Sequence, residues 1–225
     1  MTQPQPPYVR VQIAGVSSFE EAAVVAACGG DAIGLTLRLP TGVHDGLTEA
    51  KARSIVAALP PFVSSVVITY VDNPRDAIDL CRSVGADTLQ LHGEFPERQL
   101  DMVRAALPHL KIIRAVIVTG PDAVDRAQMV QGRVDAIILD SFDPATGRCG
   151  ATGKVHDWSL SRRIVESVRK PVILAGGLTP ENVGAAIACV RPWAVDVHTG
   201  VERPDGTRDF DRIRAFVRAA RAASE

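Results

Sequence analysis

Short runs of β-branched and aliphatic residues alternate along this chain with alanine-rich stretches of helical period. The runs Val9–Ile13, Ala32–Leu37, Ser65–Val71, Thr88–Leu91, Lys111–Val116, Ala136–Leu139, Val172–Ala175 and Ala194–Val197 predict strands. Helices are predicted to start near Ser18, Thr48, Asn73, Pro96, Pro121, Trp158, Pro180 and Asp209. Several of these starts carry Ser, Thr, Asn or Asp, whose short side chains accept the free N–H groups of a first helical turn. The last helix shows its period best, with Phe210, Ile213, Phe216, Val217 and Ala220 on one face. About eight strand–helix units are what closes a (β/α)₈ TIM barrel, an α/β fold. A doubly wound open sheet would favour a glycine-rich turn directly after the first strand, and Ala14-Gly15-Val16-Ser17-Ser18 has none. A single barrel domain is expected over 9–225, after a loose proline- and glutamine-rich leader over 1–8.

Strand side chains alternate between two faces, so each run can be split. Val11 and Ile13 oppose Gln12 and Ala14; Leu89 and Leu91 oppose Thr88, Gln90 and His92. Ile137 and Leu139 oppose Ala136, Ile138 and Asp140; Val195 and Val197 oppose Ala194, Asp196 and His198. The purely apolar faces should pack on the helices and the mixed faces should point inward. Ala14, His92, Asp140, Asp196 and His198 then meet at the C-terminal rim, where barrel active sites lie. A buried carboxylate or imidazole is costly without a purpose or a partner. The bland alternatives are a carboxylate that caps a loop or pairs with Arg or Lys, and a histidine that bonds a backbone carbonyl.

Glycines cluster after the last two strands. Gly176-Gly177 follows the seventh and Thr199-Gly200 the eighth. Glycine lets backbone N–H groups approach an anion, and loops after strands seven and eight form the recurrent barrel phosphate site. Ordinary turn glycines are the plainer reading of either loop alone. Together they point to a phosphate monoester held by Gly176, Gly177, His198, Thr199 and Gly200.

The 225 residues suit one barrel, and 46% are hydrophobic, enough for a large core. A net charge of −1 points to no nucleic-acid or membrane partner, so any anion must be held locally. The cysteines, Cys28, Cys81, Cys149 and Cys189, show no zinc-ligand spacing, and Cys28, Cys81 and Cys189 fall in apolar helical patterns that suggest buried packing. No metal and no organic cofactor is implied. The N-terminus lacks a signal-peptide core and no apolar run would span a bilayer, so a cytoplasmic protein is expected, monomeric or homodimeric.

Gln90-Leu91-His92-Gly93-Glu94, Ile138-Leu139-Asp140, Leu174-Ala175-Gly176-Gly177-Leu178 and Val195-Asp196-Val197-His198-Thr199-Gly200 together resemble the phosphoribosylanthranilate isomerase family, the tryptophan-pathway barrel. The resemblance covers nearly the whole chain after the leader, and Gly150 to Trp158 resembles the family's Gly-Gly-Thr-Gly…Phe-Asp-Trp loop. It implies an Amadori rearrangement of an aminoaldose phosphate, with Asp140 as general acid and Asp196 against the substrate amine. His92, on the inner rim, joins the candidate substrate-binding residues. Three positions depart from the pattern. The family's first strand normally ends Lys-Ile-Cys-Gly with the cysteine as base, and here the position is Ala14. A Ser-x-Arg in the second loop normally grips the anthranilate carboxylate; here Asp45 takes the arginine position and Arg38 is the candidate replacement. Cys149 stands where a loop glycine is usual and is a candidate substitute base, as are His44, Asp45 and His198.

Three functions follow as expectations. The first is phosphoribosylanthranilate isomerisation, impaired by loss of the base. The second is a diverged barrel enzyme acting on another phosphorylated substrate. The third is a non-catalytic binder of a phosphorylated metabolite, disfavoured because a pure binder needs no placed acid.

Overall fold

The two alternating periods resolve into two concentric layers. In the computed structural model, which describes residues 8–39, 47–143, 148–149 and 155–223, eight parallel strands close a barrel. They are β1 (Arg10–Ile13), β2 (Ala32–Thr36), β3 (Ser64–Thr69), β4 (Thr88–Leu91), β5 (Lys111–Ile117), β6 (Ala136–Asp140), β7 (Val172–Leu174) and β8 (Ala194–Val197). Neighbours in the ring are neighbours in sequence, and β1 pairs with β8 to close it. The helices are α1 (Phe19–Ala27), α2 (Glu49–Ala57), α3 (Pro74–Val84), α4 (Leu100–Ala106), α5 (Asp122–Val130), α6 (Trp158–Ser167), α7 (Val183–Val190) and α8 (Phe210–Ala222). A two-residue antiparallel ladder, Phe142–Asp143 with Arg148–Cys149, follows β6 and was not expected.

Most predicted helix starts are real caps. The side chains of Ser18, Thr48, Asn73, Asp157 and Asp209 each accept a backbone N–H of the first turn. Two starts move. The segment after Pro96 begins as a 3₁₀ turn, Glu97–Gln99, before α4. The helix expected at Pro180 begins at Val183 because Asn182 folds the preceding turn. Its side chain accepts from Thr179 N–H at 2.8 Å and donates to the Gly177 carbonyl at 2.9 Å.

The outer core joins helices to the outward strand residues Val11, Ile13, Leu89, Leu91, Ile137, Leu139, Val195 and Val197. On α8, Ile213, Phe216, Val217 and Ala220 are buried in it, and each fully buried large side chain contributes about 1.5–3 kcal/mol. The inner core is separate and smaller: Ile113, Ala115, Ala136, Ile138, Ile173, Ala175 and Ala194. One expectation is corrected. Cys81 is buried, but Cys28 is only half-buried and Cys189 is exposed. The inward face of α7 is Val183, Ala186, Ile187 and Val190, and Cys189 falls outside it; the all-apolar composition of that helix hid its phase.

Among the described residues, no helix is long and apolar enough to cross a membrane. The expected leader lies outside them except for the exposed Tyr8.

Candidate active site

Strand register sets the geometry of the C-terminal mouth. Ile138, Ile173 and Ala194 form one rung across β6, β7 and β8, and Leu139, Leu174 and Val195 form the next. One residue further lie Asp140, Ala175 and Asp196, and Asp196 is paired in register with Gln12 of β1. All four share the inward parity of Ile138, Ile173 and Ala194. Asp140 and Asp196 therefore face one another across the methyl group of Ala175. They stand two strands, or roughly 10 Å, apart at the backbone.

Both carboxyls are nearly inaccessible, at 5% and 7% exposure. Burial raises Asp140 from 3.8 to about 7, against one stabilising bond from the Ser141 N–H at 2.7 Å. Burial, then the charge of Asp140, raises Asp196 to about 8, opposed by a hydrogen bond from Gln12 and the positive field of Arg208. Asp196 Oδ1 has no hydrogen-bond partner.

An amide chain crosses the barrel floor from this point. Gln12 Nε2 donates to Gln90 Oε1 at 3.0 Å, and Gln90 Nε2 lies 3.0 Å from His92 Nε2. An amide nitrogen can only donate, so His92 Nε2 accepts and the ring proton sits on Nδ1. That nitrogen is buried without a partner. Burial, followed by repulsion from Arg114, lowers His92 to about 4, so it stays neutral. The Tyr70 ring lies 5.2 Å away. Gln12 and Gln90 were on the inward faces in sequence, but amides do not titrate and were not singled out.

Ala14 also points inward and packs on Val66 and Ile68. Its methyl group offers no proton acceptor.

The glycine loops lie beside this floor. Gly176 and Gly177 have φ of 80° and 66°, the left-handed conformation that an L side chain resists. His156, anchored by Ser161 Oγ at 2.7 Å, lies against Gly176 with its other ring nitrogen. A Cβ on Gly200 would collide with the Leu178 carbonyl, so the two loops touch backbone to backbone. A recess of about 470 Å³ lies between them, lined by Gly177, Thr179, Thr199 and Gly200, with Arg203 and Arg212 at its edge.

Arg208, which sequence reading missed, ties the first and last loops together. It is 2% exposed and donates to the Gly15 carbonyl at 2.9 Å and to Glu202 at 2.6 Å. His198 Nδ1 lies 3.0 Å from the same carboxylate, and Nε2 lies 3.2 Å from Arg208. Burial opposes ionisation of Glu202, but these two partners hold it down at about 2. His198 thus stands among the phosphate loops already engaged in an ion-pair network.

Arg38 is engaged by neighbouring helices. Its Nε donates to Glu49 at 2.8 Å and its Nη1 to the Asp76 carbonyl at 3.0 Å, turning it toward α2 and α3. His44 and Asp45 lie outside the described residues, as does the Cys149 side chain. Among the described residues, no group of three or more His, Cys, Asp or Glu side chains could hold a metal ion.

A more enclosed cavity, about 280 Å³, lies at the opposite mouth, with Arg10, Phe62, Lys111 and Trp193 around it. The carboxylates that line it, Asp31 and Asp135, are bound to backbone N–H groups and arginines. The carboxylate with an unpartnered oxygen, Asp196, lies instead at the C-terminal mouth.

The chain has recognisable relatives. The family model described as N-(5'phosphoribosyl)anthranilate (PRA) isomerase matches residues 14–219. The N-(5'-phosphoribosyl)anthranilate isomerase of Haloferax volcanii is 42% identical over 216 residues, covering 95% of this chain and 94% of that protein. The crystal structure of phosphoribosyl anthranilate isomerase from Thermotoga maritima superposes with a TM-score of 0.83 at 34% identity, covering 95% of this chain and 99% of that one. A further isomerase structure, in complex with reduced 1-(o-carboxyphenylamino)-1-deoxyribulose 5-phosphate, gives a TM-score of 0.78 at 33% identity, with coverage of 95% and 99%.

Proposed function

The chain belongs to the N-(5'-phosphoribosyl)anthranilate isomerase family, and from that premise we propose that it carries out the Amadori rearrangement of N-(5'-phosphoribosyl)anthranilate to the 1-deoxyribulose phosphate. The observation that carries this reading is the buried pair Asp140 and Asp196, inward on one rung beside the glycine loops after β7 and β8. A carboxyl raised to about 7 still holds a proton near neutrality, as an acid that opens a sugar ring must. The loops Gly176-Gly177 and Thr199-Gly200 are suited to the substrate phosphate. The ligand in the complexed relative is also an aromatic carboxylate joined to a sugar phosphate.

Ala14 supplies no base. Loss of a positioned base costs about 10²–10⁴ in rate unless another group takes the proton. The test is direct: freshly prepared phosphoribosylanthranilate is mixed with purified protein and loss of its fluorescence is followed. Turnover that disappears in Asp140→Asn supports the assignment. Binding of the substrate without turnover would instead indicate a non-catalytic binder.

One observation favours a second reading, a barrel enzyme for a different phosphorylated substrate. Arg38 already spends two of its N–H donors on Glu49 and the Asp76 carbonyl, which hold its guanidinium toward α2 and α3. Tight binding of simple sugar phosphates, with no turnover of the anthranilate conjugate, would favour that reading.

A further inference from the structure

The rearrangement needs a proton acceptor as well as a donor, and Ala14 cannot be the acceptor. We propose that Asp140 and Asp196 act as acid and base of the same reaction, with Asp196 taking the proton from sugar C2. This inference rests on the isomerase reading above.

The geometry is that of two facing carboxyls without a dedicated counter-ion. Asp140 and Asp196 each lie one residue beyond the in-register partners of β7, with Ala175 on the strand between them, so both face the same mouth of the barrel. Asp196 presents Oδ1 without a partner, while Gln12 binds its carboxylate and fixes its orientation. An unpaired, buried carboxylate oxygen is costly to keep and is placed to receive a proton. The groups around the pair do not neutralise it. Gln12 and Gln90 are uncharged, and His92 is neutral with Nε2 already accepting. Arg208 acts on Asp196 through its field, but its guanidinium is bonded to Glu202 and the Gly15 carbonyl. His198 faces Glu202 and Arg208. Ser141 gives Asp140 a single N–H. Two like charges in so dry a place resist being present together, so the pair retains one proton after losing the other. Asp196 gives up its proton less readily than Asp140, at about 8 against about 7, so the form with Asp140 protonated and Asp196 ionised is the minor one, and Gln12 and Arg208 are the groups that stabilise it.

The proton balance closes. Asp140 gives its proton to the ring oxygen as the C1–O bond breaks and the nitrogen lone pair forms the C1=N bond. Asp196 removes the C2 proton; the C–H pair becomes C1=C2 and the C=N pair returns to nitrogen. Asp196 then protonates C1 while Asp140 takes the C2 hydroxyl proton, leaving a C2 ketone. Substrate and product are isomers, and the pair is back in its starting state with no co-reactant consumed.

The experiment compares kcat, KM and pH–rate profiles of the parent protein with Asp196→Asn, Asp196→Glu and Gln12→Lys, using phosphoribosylanthranilate and its C2-deuterated form. Asp196→Asn is expected to lower kcat at least ~100-fold with KM within a few-fold, and Asp196→Glu to recover part of it. Gln12→Lys sets a cation beside the pair, so the alkaline limb of the profile should move to lower pH and kcat at neutrality should fall. The parent should show a primary isotope effect. If Asp196 only contacts the substrate, KM rises, kcat stays within threefold and both pH limbs persist in Asp196→Asn; that result overturns the proposal alone. A hundredfold loss of kcat in Cys149→Ser, His44→Ala or Asp45→Asn would place the base elsewhere and also overturn it. An inactive parent overturns the isomerase assignment itself and this inference with it.

Discussion

Aspartates occur at both mouths of this barrel, and they are treated in opposite ways. At the N-terminal mouth Asp31, Asp87 and Asp135 each directly precede an even-numbered strand and accept a backbone N–H from the start of the strand before it. Asp31 receives Val11 N at 2.7 Å, Asp87 receives Ser65 N at 2.9 Å and Asp135 receives Ile112 N at 2.8 Å. Arg221 and Arg104 add ion pairs to Asp31 and Asp135 at 2.8 and 3.0 Å. At the C-terminal mouth Asp140 receives Ser141 N, and Asp196 keeps an oxygen with no partner. One mouth spends its carboxylates on holding strand starts together; the other holds them in reserve. What separates a structural aspartate from a chemical one here is both burial and the partner list: Asp31 and Asp135 are half-buried and Asp87 is exposed, each tied to backbone N–H groups, whereas Asp140 and Asp196 are buried with fewer partners.

The largest contrast should appear in turnover. Asp140→Asn is expected to lower kcat by about 10²–10⁴, the usual worth of a positioned acid. The matching change at the other mouth, Asp135→Asn, should leave kcat within a few-fold. Steady-state kinetics on both variants checks this. Equal losses would mean that the two mouths are not functionally distinct.

The next effect is on stability, and its sign opposes intuition about charge. Asp140 and Asp196 have folded values of about 7 and 8 against an ordinary 3.8. The folded protein therefore holds protons that the unfolded chain has lost. The stability they contribute is full below pH 3.8 and is lost as pH rises through the folded values. His92 and His156, lowered from 6.5 to about 4 chiefly by burial, act in the reverse direction and lose their contribution as pH falls through that interval. The two pairs oppose each other below pH 6.5, so the carboxyls act alone between pH 6.5 and 8. Denaturation curves should show a loss on the order of 2 kcal/mol across that window. Asp196→Asn should flatten the slope and raise stability at pH 8. An unchanged slope would mean the pair is ionised throughout.

A smaller loss is expected from the structural mouth. Removing the Asp135 carboxylate with Asp135→Ala leaves the Ile112 N–H without its acceptor and Arg104 without its ion pair. The cost should be about 1–3 kcal/mol, read from the denaturation midpoint at constant slope. Arg104 keeps its bonds to the Arg133 carbonyl, which limits the loss.

Legibility in the sequence followed the same division. Strand alternation placed Asp140, Asp196 and His92 on inward faces, because a period of two leaves no freedom once one face is buried. The same alternation put Gln12 and Gln90 inside, but their role depends on pairing between β1, β4 and β8, which no local pattern encodes. Arg208 was invisible for a like reason: its partner Gly15 is 193 residues away in the chain. The repeated aspartate before β2, β4 and β6 was a readable signal, visible in Gly30-Asp31-Ala32, Ala86-Asp87-Thr88 and Val134-Asp135-Ala136, but its meaning needs the neighbouring strand. Arg38 was placed near the substrate from loop position alone. Its left-handed backbone, with φ of 54°, accompanies a side chain bonded to Glu49 and to the Asp76 carbonyl, partners that no local pattern names.

Arg38 supplies the smallest effect and the sharpest test of where the mouth ends. Its ion pair with Glu49 joins side chains about one-third exposed, and Glu49 also accepts from Ser83. The Arg38 bond, partly offset by burial, and then the Ser83 bond hold the Glu49 carboxyl below its usual range. Solvent screening limits an ion pair of this exposure to about 0–1 kcal/mol. Arg38→Ala should therefore shift the denaturation midpoint slightly and leave KM within twofold. A KM increase of tenfold or more would show that Arg38 leaves Glu49 to grip the substrate carboxylate. The functional mouth would then extend outward to α2, and the second reading would lose the observation that favours it.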